Sequence, residues 1–278
     1  MPKERLDIIL VERDLAESRN RAQRLIMAGQ VRVNGQPVLK ASTRIERDSG
    51  IEIDQGARFI SRGGEKLAAA LERFPIEIVG KICADVGAST GGFTDCLLQH
   101  GALRVYAIDV GYGILHWKIR QDARVISMEE TNARYLDSLP EPVEVITVDV
   151  SFISLKKILP KFKNWYRDQD KEETFENSSN HLIALIKPQF EAGRLEVSRG
   201  RGVIRNSEVH REVLRDVLWF STLEGYQVNG LILSPLSGPK GNKEFLAWFK
   251  FQEKPLDDYS WEQEKAADIR NMIDKVTQ

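Results

Sequence analysis

The apolar residues of the first 55 positions follow a helical spacing and then change to the alternation of β-strands. The helical part predicts two helices, of which the second has Ser18 as its N-terminal cap and ends at Gly29. The apolar positions of these helices are Leu6, Ile9 and Leu10, followed by Ala22, Leu25 and Ile26. The alternating part predicts a hairpin that turns at Asn34 and Gly35, and then one more short strand at 51–53. The N-terminal segment is therefore expected to be a small α+β unit.

Four short runs that are apolar almost throughout lie further along the chain, and helical stretches separate them. These runs are 82–86, 105–109, 145–149 and 182–187. Continuous apolar strands that alternate with helices are typical of a parallel sheet covered on both faces. A helix over 207–223, capped by Asn206, follows, and the runs 228–233 and 245–251 predict a closing antiparallel pair. The fold class expected from the pattern is α/β, with a mostly parallel sheet and an antiparallel closing strand.

Composition limits the classes of protein to which the chain can belong. Its 278 residues allow two domains, and 40 Lys and Arg against 41 Asp and Glu give a net charge of −1, which argues against a uniformly basic nucleic-acid binder. The two cysteines, Cys83 and Cys96, are too few for a disulfide framework, and neither they nor the four histidines show the spacing of metal ligands. Because no apolar run is long enough to cross a membrane and no signal peptide is evident, we expect a cytoplasmic protein without a metal.

Positive charge is concentrated in two parts of the chain despite the neutral average. Residues 13–44 contain seven basic and two acidic residues, and Arg21 and Arg24 share one face of the second helix. The segment 194–205 adds four arginines, Arg199 and Arg201 among them, with glycines between them. Either cluster can be an ordinary solvated surface or a face that binds the phosphates of RNA.

A glycine-rich loop at 85–95 follows the first apolar run and opens a helix, so that it offers backbone amides to a ligand. A dinucleotide-binding fingerprint is weakened because Ser89 stands at its third position, and a P-loop is weakened because Phe93 replaces its lysine. S-adenosylmethionine is a third candidate, since Gly87 permits close backbone approach and Asp85 could receive the cationic methionine end. Asp109, at the end of the next strand, could accept hydrogen bonds from ribose hydroxyls. The loop could also be a turn that only packs a helix on the sheet.

The N-terminal unit resembles the RNA-binding domain named after the fourth small-subunit ribosomal protein. The resemblance rests on the segments 5–13, 18–26 and 29–35. In that family, two helices and a following hairpin present basic residues to structured RNA. The resemblance implies that RNA is contacted by Arg5, Arg19, Arg21 and Arg24.

Five further motifs, in order along the chain, resemble those of the TlyA, or hemolysin A, family of rRNA 2′-O-methyltransferases. They are Arg62–Leu67, Asp85–Asp95, Asp149–Phe152, Ile186–Arg194 and Ser234–Leu246. The family implies an FtsJ-like, Rossmann-like methyltransferase domain at 61–252, after an RNA-binding domain at 1–60. The residues that follow, 253–278, are an acidic tail whose apolar positions could form one marginal helix. It implies S-adenosylmethionine as cofactor, ribosomal RNA in assembled subunits as partner, and methylation of a cytidine ribose as reaction. The expected cofactor-binding residues are Asp85, Gly87, Ser89, Gly91, Gly92, Phe93 and Asp109.

The same resemblance places a Lys-Asp-Lys-Glu tetrad at Lys66, Asp149, Lys187 and Glu244. Methyl transfer to a ribose hydroxyl needs alignment and the removal of one proton, which a lysine beside a sulfonium and a second lysine can accomplish. We therefore expect Lys187 to orient and deprotonate the 2′-hydroxyl, and Lys66 to contact an RNA phosphate or the same hydroxyl. Considered alone, Lys66 and Glu244 are also compatible with surface charges.

Two other functions stay open at the level of the sequence. One is a non-catalytic RNA-binding or ribosome-assembly factor that keeps a cofactor-binding fold, although the complete tetrad argues against it. The other is a hemolysin-like, membrane-active protein, for which the sequence offers neither a spanning segment nor a basic amphipathic helix.

Overall fold

The computed structural model describes residues 3–54, 56–166, 180–193, 200, 202–251 and 259–277. The chain divides into two units, Met1–Arg58 and Phe59–Gln278. This division falls close to the domain boundary expected after residue 60, and it assigns the C-terminal segment to the second unit.

The N-terminal unit is built from two helices and several short strands. The helices are Leu6–Glu12 (α1) and Arg19–Met27 (α2), and the strands are Lys3–Arg5 (β1), Val31–Val33 (β2), Gln36–Pro37 (β3), Arg44–Glu46 (β4) and Ile51–Ile53 (β5). Strand β2 pairs antiparallel with β3 and β5, while β1 pairs with β4. The sequence does not predict the β1–β4 pair, because β1 contains only charged residues and β4 has a single apolar one.

Local sequence accounts for the ends of these elements. Ser18 caps α2, and its Oγ accepts a hydrogen bond from the backbone N–H of Arg21 at 3.3 Å. Asn34 and Gly35 have φ angles of +49° and +78°, as the central residues of a type I′ hairpin turn require. The core of the unit contains the apolar positions of the pattern, Leu6, Ile9, Leu10, Ala22, Leu25, Ile26, Val31 and Val33. The expected order of helix, helix and hairpin is confirmed.

A seven-stranded sheet forms the centre of the second unit. Its strands are Ile82–Val86 (β6), Arg104–Ile108 (β7), Val125–Met128 (β8), Val145–Val148 (β9), His181–Ile186 (β10), Tyr226–Leu233 (β11) and Phe245–Phe251 (β12). They lie in the order β11-β12-β10-β9-β6-β7-β8; β12 is antiparallel to both neighbours and the other pairs are parallel. The prediction of a mostly parallel sheet with an antiparallel closing strand is confirmed. The edge strand β8 is not predicted, because its partly exposed residues form no apolar run.

Helices cover both faces of this sheet. They are Gly63–Arg73 (α3), Gly92–Gln99 (α4), Trp117–Arg120 (α5), Leu159–Phe162 (α6), Pro188–Glu191 (α7), Ser207–Leu223 (α8) and Tyr259–Val276 (α9), with 3₁₀ turns at Ala133–Tyr135, Leu155–Lys157, Lys163–Tyr166 and Pro239–Gly241. Successive strand residues face opposite sides, so that Ala84 and Val86 pack in the core that includes α8, while Cys83 packs in the core that includes α3 and α4. Burial on both faces explains why the central strands are apolar throughout.

The C-terminal helix α9 contributes to the core of the second unit. It contacts α8 and β11, and its Ile269 and Ile273 are 5% and 2% exposed. The sequence indicates at most a marginal helix here because few of its residues are apolar. A helix that is marginal in isolation is stabilised when one apolar face packs against a core, so the helical part of this acidic segment belongs to the domain.

Ile273→Ala is expected to lower the free energy of unfolding by about 2–5 kcal/mol, because it leaves a cavity where a buried side chain packed. Urea unfolding followed by circular dichroism measures the change. Asn271→Ala, at an exposed position of the same helix, is the matched control and should cause no loss. An Ile273→Ala protein as stable as the original chain would show that α9 does not unfold together with the sheet.

Candidate active site

The carboxyl edge of the parallel strands collects charged residues from distant parts of the sequence. Asp149 follows β9 and Lys187 follows β10, and these strands are parallel neighbours. Strand β12 enters antiparallel with Phe245 opposite Ile186, so that Glu244 lies at the same edge as Lys187. Strand order and pairing register therefore bring three members of the expected tetrad to one edge of the sheet.

Lys187 and Asp149 form an ion pair at this edge. The Nζ atom of Lys187 lies 2.6 Å from Oδ1 of Asp149, and it donates a hydrogen bond to Oγ of Ser151 at 2.9 Å. The Lys187 side chain is 9% exposed, and Nζ lies 5.9 Å from the centre of the Phe190 ring. An ammonium group has three N–H donors. One of them is donated to Ser151, and Asp149 pairs with the charge although its Oδ1 has no hydrogen-bond partner among the described residues, so donors remain for a ligand.

A second ion pair joins Lys66 of α3 to Glu244. Their Nζ and Oε2 atoms are 2.6 Å apart, and the side chains are 12% and 0% exposed. The other carboxylate oxygen, Oε1, accepts a long hydrogen bond of 3.4 Å from Nε2 of Gln189. A Cβ atom on Gly238 would lie 2.0 Å from Oε1, so only glycine lets the preceding loop enclose this carboxylate. Since a buried carboxylate requires a partner, Lys66 and Glu244 are not ordinary surface charges.

The glycine loop passes directly over the end of β9. Gly87 has a φ angle of +82°, and a Cβ atom there would lie 2.6 Å from the carbonyl oxygen of Asp149. Gly91, with a φ angle of +97°, is the N-cap of α4. A Cβ atom on Gly92 would lie 3.0 Å from the backbone nitrogen of Gly64, so the first turns of α3 and α4 are in close contact. Glycine at these positions allows the loop and two helix starts to converge.

Asp109 connects the end of β7 to the glycine loop. Its Oδ2 accepts a hydrogen bond from the backbone N–H of Ser89, and its Oδ1 accepts one from that of Gly111, both at 2.8 Å. The side chain is partly buried. Because a carboxylate can accept about four hydrogen bonds, Asp109 has acceptor capacity left for hydroxyl groups of a ligand beside the loop.

Asp85 lies beneath the glycine loop. Its side chain is fully buried, and it accepts hydrogen bonds from Oγ1 of Thr94 at 2.6 Å and from Oγ1 of Thr147 at 3.1 Å. Burial raises the pKa of Asp85 to about 7. The structure thus does not place Asp85 where it could directly receive the cationic end of a ligand. Its hydrogen bonds instead tie the first turn of α4 to the sheet.

These elements surround a cavity of about 370 Å³, a size typical of small-molecule sites. It is lined by Ser61, Arg62, Gly63, Lys66, Gly87, Ala88, Ser89, Thr90, Gly92, Phe93, Asp149, Ser151, Lys187, Leu236, Ser237 and Gly238. The lining includes three tetrad members and four of the residues expected to bind a cofactor. The other expected residues of this site adjoin the lining and hold it in place: Asp85, Gly91, Asp109 and Glu244.

The structure adds residues at or beside the cavity that the sequence argument does not assign to the site, Ser61, Arg62, Ser151 and Phe152 among them. Ser61 and Arg62 line it just before α3, and the Phe152 side chain is 91% exposed next to Ser151. Phe152 has a φ angle of +64°, rare for a bulky residue, and its ring centre lies 5.0 Å from that of Phe190. An exposed ring on a strained backbone indicates a binding surface. Sequence alone does not reveal this, since an aromatic residue near a strand end is ordinarily part of a core.

The N-terminal unit, considered by itself, places the arginines expected to bind RNA in two environments. Arg5 and Arg19 form ion pairs with the buried Asp7 at 2.9 and 3.0 Å. Arg21 and Arg24 are exposed on α2. The remaining two expected residues, Arg199 and Arg201, lie outside the described residues.

Neither a metal site nor a membrane-spanning helix is found among the described residues. No group of three or more His, Cys, Asp or Glu side chains in these ranges is arranged as a set of metal ligands. Nor does any helix of the described residues combine the length and hydropathy of a membrane span. Two histidines have structural contacts, since Trp248 Nε1 is bonded to His181 and His210 to the carbonyl oxygen of Ile204, both at 3.1 Å.

Comparisons with known proteins agree with this geometry. The chain matches the FtsJ-like methyltransferase family over residues 59–251 and the S4 domain family over residues 4–51. It is 40% identical to the 16S/23S rRNA (cytidine-2′-O)-methyltransferase TlyA of Mycobacterium tuberculosis, over 89% of this chain and 90% of that one. It is 42% identical to hemolysin A of Brachyspira hyodysenteriae, over 88% of this chain and 99% of that one.

A solved structure from Streptococcus thermophilus, described as a hemolysin, has the same fold over almost the whole chain. The two are 40% identical with a TM-score of 0.66, covering 99% of this chain and 98% of that one. The family match extends over most of the chain and the relatives cover both units. This chain therefore belongs to the TlyA family of FtsJ-like methyltransferases and carries an S4 domain at its N-terminus.

Proposed function

We propose that this protein transfers a methyl group from S-adenosylmethionine to the ribose 2′-hydroxyl of a cytidine in ribosomal RNA within assembled subunits. The observation that carries the proposal is the presence of two lysine–carboxylate pairs, Lys187–Asp149 and Lys66–Glu244, beside one cavity that a glycine loop borders. The relatives named above include an rRNA (cytidine-2′-O)-methyltransferase. Assembled ribosomal subunits as the substrate imply action in the cytoplasm.

The residues around the cavity fit S-adenosylmethionine. Gly87 lets the loop lie against the end of β9, and Gly87 and Ser89 both line the cavity wall. Asp109 has free acceptor capacity for the ribose hydroxyls, and the start of α3 contributes Ser61 and Arg62 for the polar methionine end. Asp85 acts indirectly, through the position of α4. When bound, S-adenosylmethionine supplies a methyl carbon that its sulfonium activates for displacement.

Lys187 is the residue we assign to orienting the 2′-hydroxyl and accepting its proton. The ion pair with Asp149 and the hydrogen bond to Ser151 hold Nζ at the cavity, and this supports a role in positioning a substrate oxygen there. In its amine form, Lys187 takes the proton as the bond between O2′ and the methyl carbon forms and the bond between that carbon and sulfur breaks. Alignment by a fixed group is the main help this displacement requires.

We assign to Lys66 a contact with an RNA phosphate next to the reacting ribose, or with the same 2′-hydroxyl. Its Nζ is paired with Glu244. The carboxylate of Glu244 is fully buried and so cannot exchange Lys66 for water as a partner. The pair leaves the other N–H groups of Lys66 available at the cavity surface.

Phe152 offers a surface for the base of the target nucleotide. Enzymes that modify structured RNA or DNA take the target out of its stack and hold its base against aromatic side chains. The exposed Phe152 ring, supported by Phe190, lies one residue from Ser151 and hence beside the lysine that would hold the ribose. A nucleotide whose base stacks there would have the 2′-hydroxyl of its ribose close to the tetrad.

Lys187→Ala is expected to reduce methyl transfer to ribosomal subunits by about 100-fold or more, because it removes the group that orients and deprotonates the hydroxyl. Transfer of tritiated methyl groups from S-adenosylmethionine, with mapping of ribose methylation in the product RNA, measures it. Cofactor binding should change little. Lys157→Ala, at an exposed lysine, is the matched control. Normal turnover by Lys187→Ala would exclude the assigned role.

Ser151→Ala is expected to lower kcat about tenfold with little change in KM for either substrate, because Lys187 loses one of the two acceptors that direct its Nζ. Ser151→Thr keeps the hydroxyl and should retain most of the activity. Steady-state kinetics on ribosomal subunits separates kcat from KM. Equal kcat values for the alanine variant and the original chain would show that Asp149 alone positions the lysine.

Phe152→Ala is expected to lower kcat/KM for ribosomal subunits about tenfold or more, since stacking of one base on an aromatic ring contributes about 1–3 kcal/mol. Phe152→Tyr preserves the ring and serves as the control. Calorimetric titration with S-adenosylmethionine should give the same affinity for both variants. If the alanine and tyrosine variants were equally active, the ring would have no part in substrate binding.

A further inference from the structure

A fully buried carboxylate holds two arginines together in the N-terminal unit. Asp7, in the first turn of α1, has no exposed side-chain surface. Arg5 donates hydrogen bonds to it from Nε and Nη2, each at 2.9 Å, in the two-pronged geometry typical of a guanidinium and a carboxylate. Arg19 donates from Nε to Oδ2 at 3.0 Å, and Gln23 donates from Nε2 to the same oxygen at 2.9 Å. One carboxylate thus links the start of α1 to a face of α2.

This cluster contains more positive charge than the carboxylate requires. Arg5 and Gln23 together already provide donors to both oxygens of Asp7, and Arg19 adds a second guanidinium. The side chains of Arg5 and Arg19 are 34% and 55% exposed. Among the described residues, Nη1 of Arg5 and both Nη atoms of Arg19 have no acceptor. The cluster is therefore a pair of oriented, solvent-accessible guanidinium groups with a net positive charge.

Another ion-pair cluster of the same unit has the opposite balance. Arg47 donates to Glu4 at 2.8 Å and to Glu12 at 2.6 Å, so that one guanidinium serves two carboxylates. A cluster with net negative charge repels an anion, whereas the Asp7 cluster attracts one. The contrast indicates that the second arginine at Asp7 serves a purpose besides neutralising a buried acid.

We propose that Asp7 is a positioning residue that assembles Arg5 and Arg19 into a binding site for one phosphodiester group of RNA. Guanidinium forks match the oxygens of a phosphate, and forks already held in place lose little conformational freedom on binding. Arg5 first, and then Gln23 and Arg19, hold the pKa of Asp7 well below its usual range, so the carboxylate stays ionised at the pH at which RNA is bound. The proposal rests on the proposed function, in that RNA is taken as the ligand of this unit.

Asp7→Asn tests this site because the change in net charge and the loss of arginine positioning predict opposite changes in affinity for RNA. If only net charge matters, removing a negative charge from an RNA-binding face strengthens binding. If Asp7 positions the arginines, binding to purified small and large ribosomal subunits weakens about tenfold. The slope of log K against log salt concentration then falls by about 0.7–0.9, the contribution of one phosphate contact. KM for subunits rises, while kcat at saturation is unchanged because the tetrad lies in the second unit.

Glu12→Gln is the matched control for the charge. It removes the same charge from another position of α1, where the carboxylate pairs with Arg47. Its binding to the subunits should be unchanged or slightly tighter, with an unchanged salt slope. Circular dichroism and thermal unfolding show whether both variants remain folded.

Arg19→Lys keeps the test decisive if Asp7→Asn does not fold. The lysine preserves the charge on α2 but has no planar fork and cannot hold Asp7 and a phosphate in the same geometry. It should weaken subunit binding severalfold. Arg47→Lys, at an arginine of the same unit that is 56% exposed and pairs with Glu4 and Glu12, is the matched control and should have no effect.

Two outcomes would overturn the proposal. One is a folded Asp7→Asn protein that binds ribosomal subunits as tightly as the original chain, or more tightly. The other is equal binding by the Arg19→Lys and Arg47→Lys proteins. A failure of the proposed function gives a different result, since the original chain itself would then neither bind the subunits nor methylate their RNA.

Discussion

A carboxylate that is removed from water needs a cation or several hydrogen-bond donors beside it, and the functional parts of this protein are arranged around that constraint. Three buried carboxylates of this protein obtain such partners in three different ways. Glu244 is paired with Lys66, Asp7 is paired with two arginines, and Asp85 is surrounded by threonine hydroxyls and no cation. Burial raises the pKa of Asp85 to about 7.

The same constraint makes the partners of these carboxylates useful. A lysine or arginine that is bound to a fixed carboxylate has lost most of its conformational freedom before any ligand arrives, so that its remaining N–H groups are already oriented. Lys187 is oriented in this way by Asp149 and Ser151, and Lys66 by Glu244. The two lysines therefore present oriented N–H groups at the cavity before a ligand binds.

Close approach of backbone segments is the second requirement of the site. Gly87 lies against the carbonyl oxygen of Asp149, and Gly238 lies against the carboxylate of Glu244, with no room for a Cβ atom at either place. Each contact joins a loop to a charged residue of the tetrad. The glycines thus set the distance between the loops around the cavity and the two lysine–carboxylate pairs.

The sequence by itself determined the helix-helix-hairpin order, the mostly parallel sheet and the glycine loop, because strand and helix periodicity and turn residues are local properties. The tetrad was expected from resemblance to a family, and its catalytic role stays a prediction. The sequence did not show that Asp85 lies beneath the loop, that α9 completes the core, or that Phe152 is exposed, since each depends on what packs against the residue. Tertiary structure alone placed Glu244 beside Lys66, because the antiparallel entry of β12 opposite β10 fixes which distant residues share the carboxyl edge of the sheet.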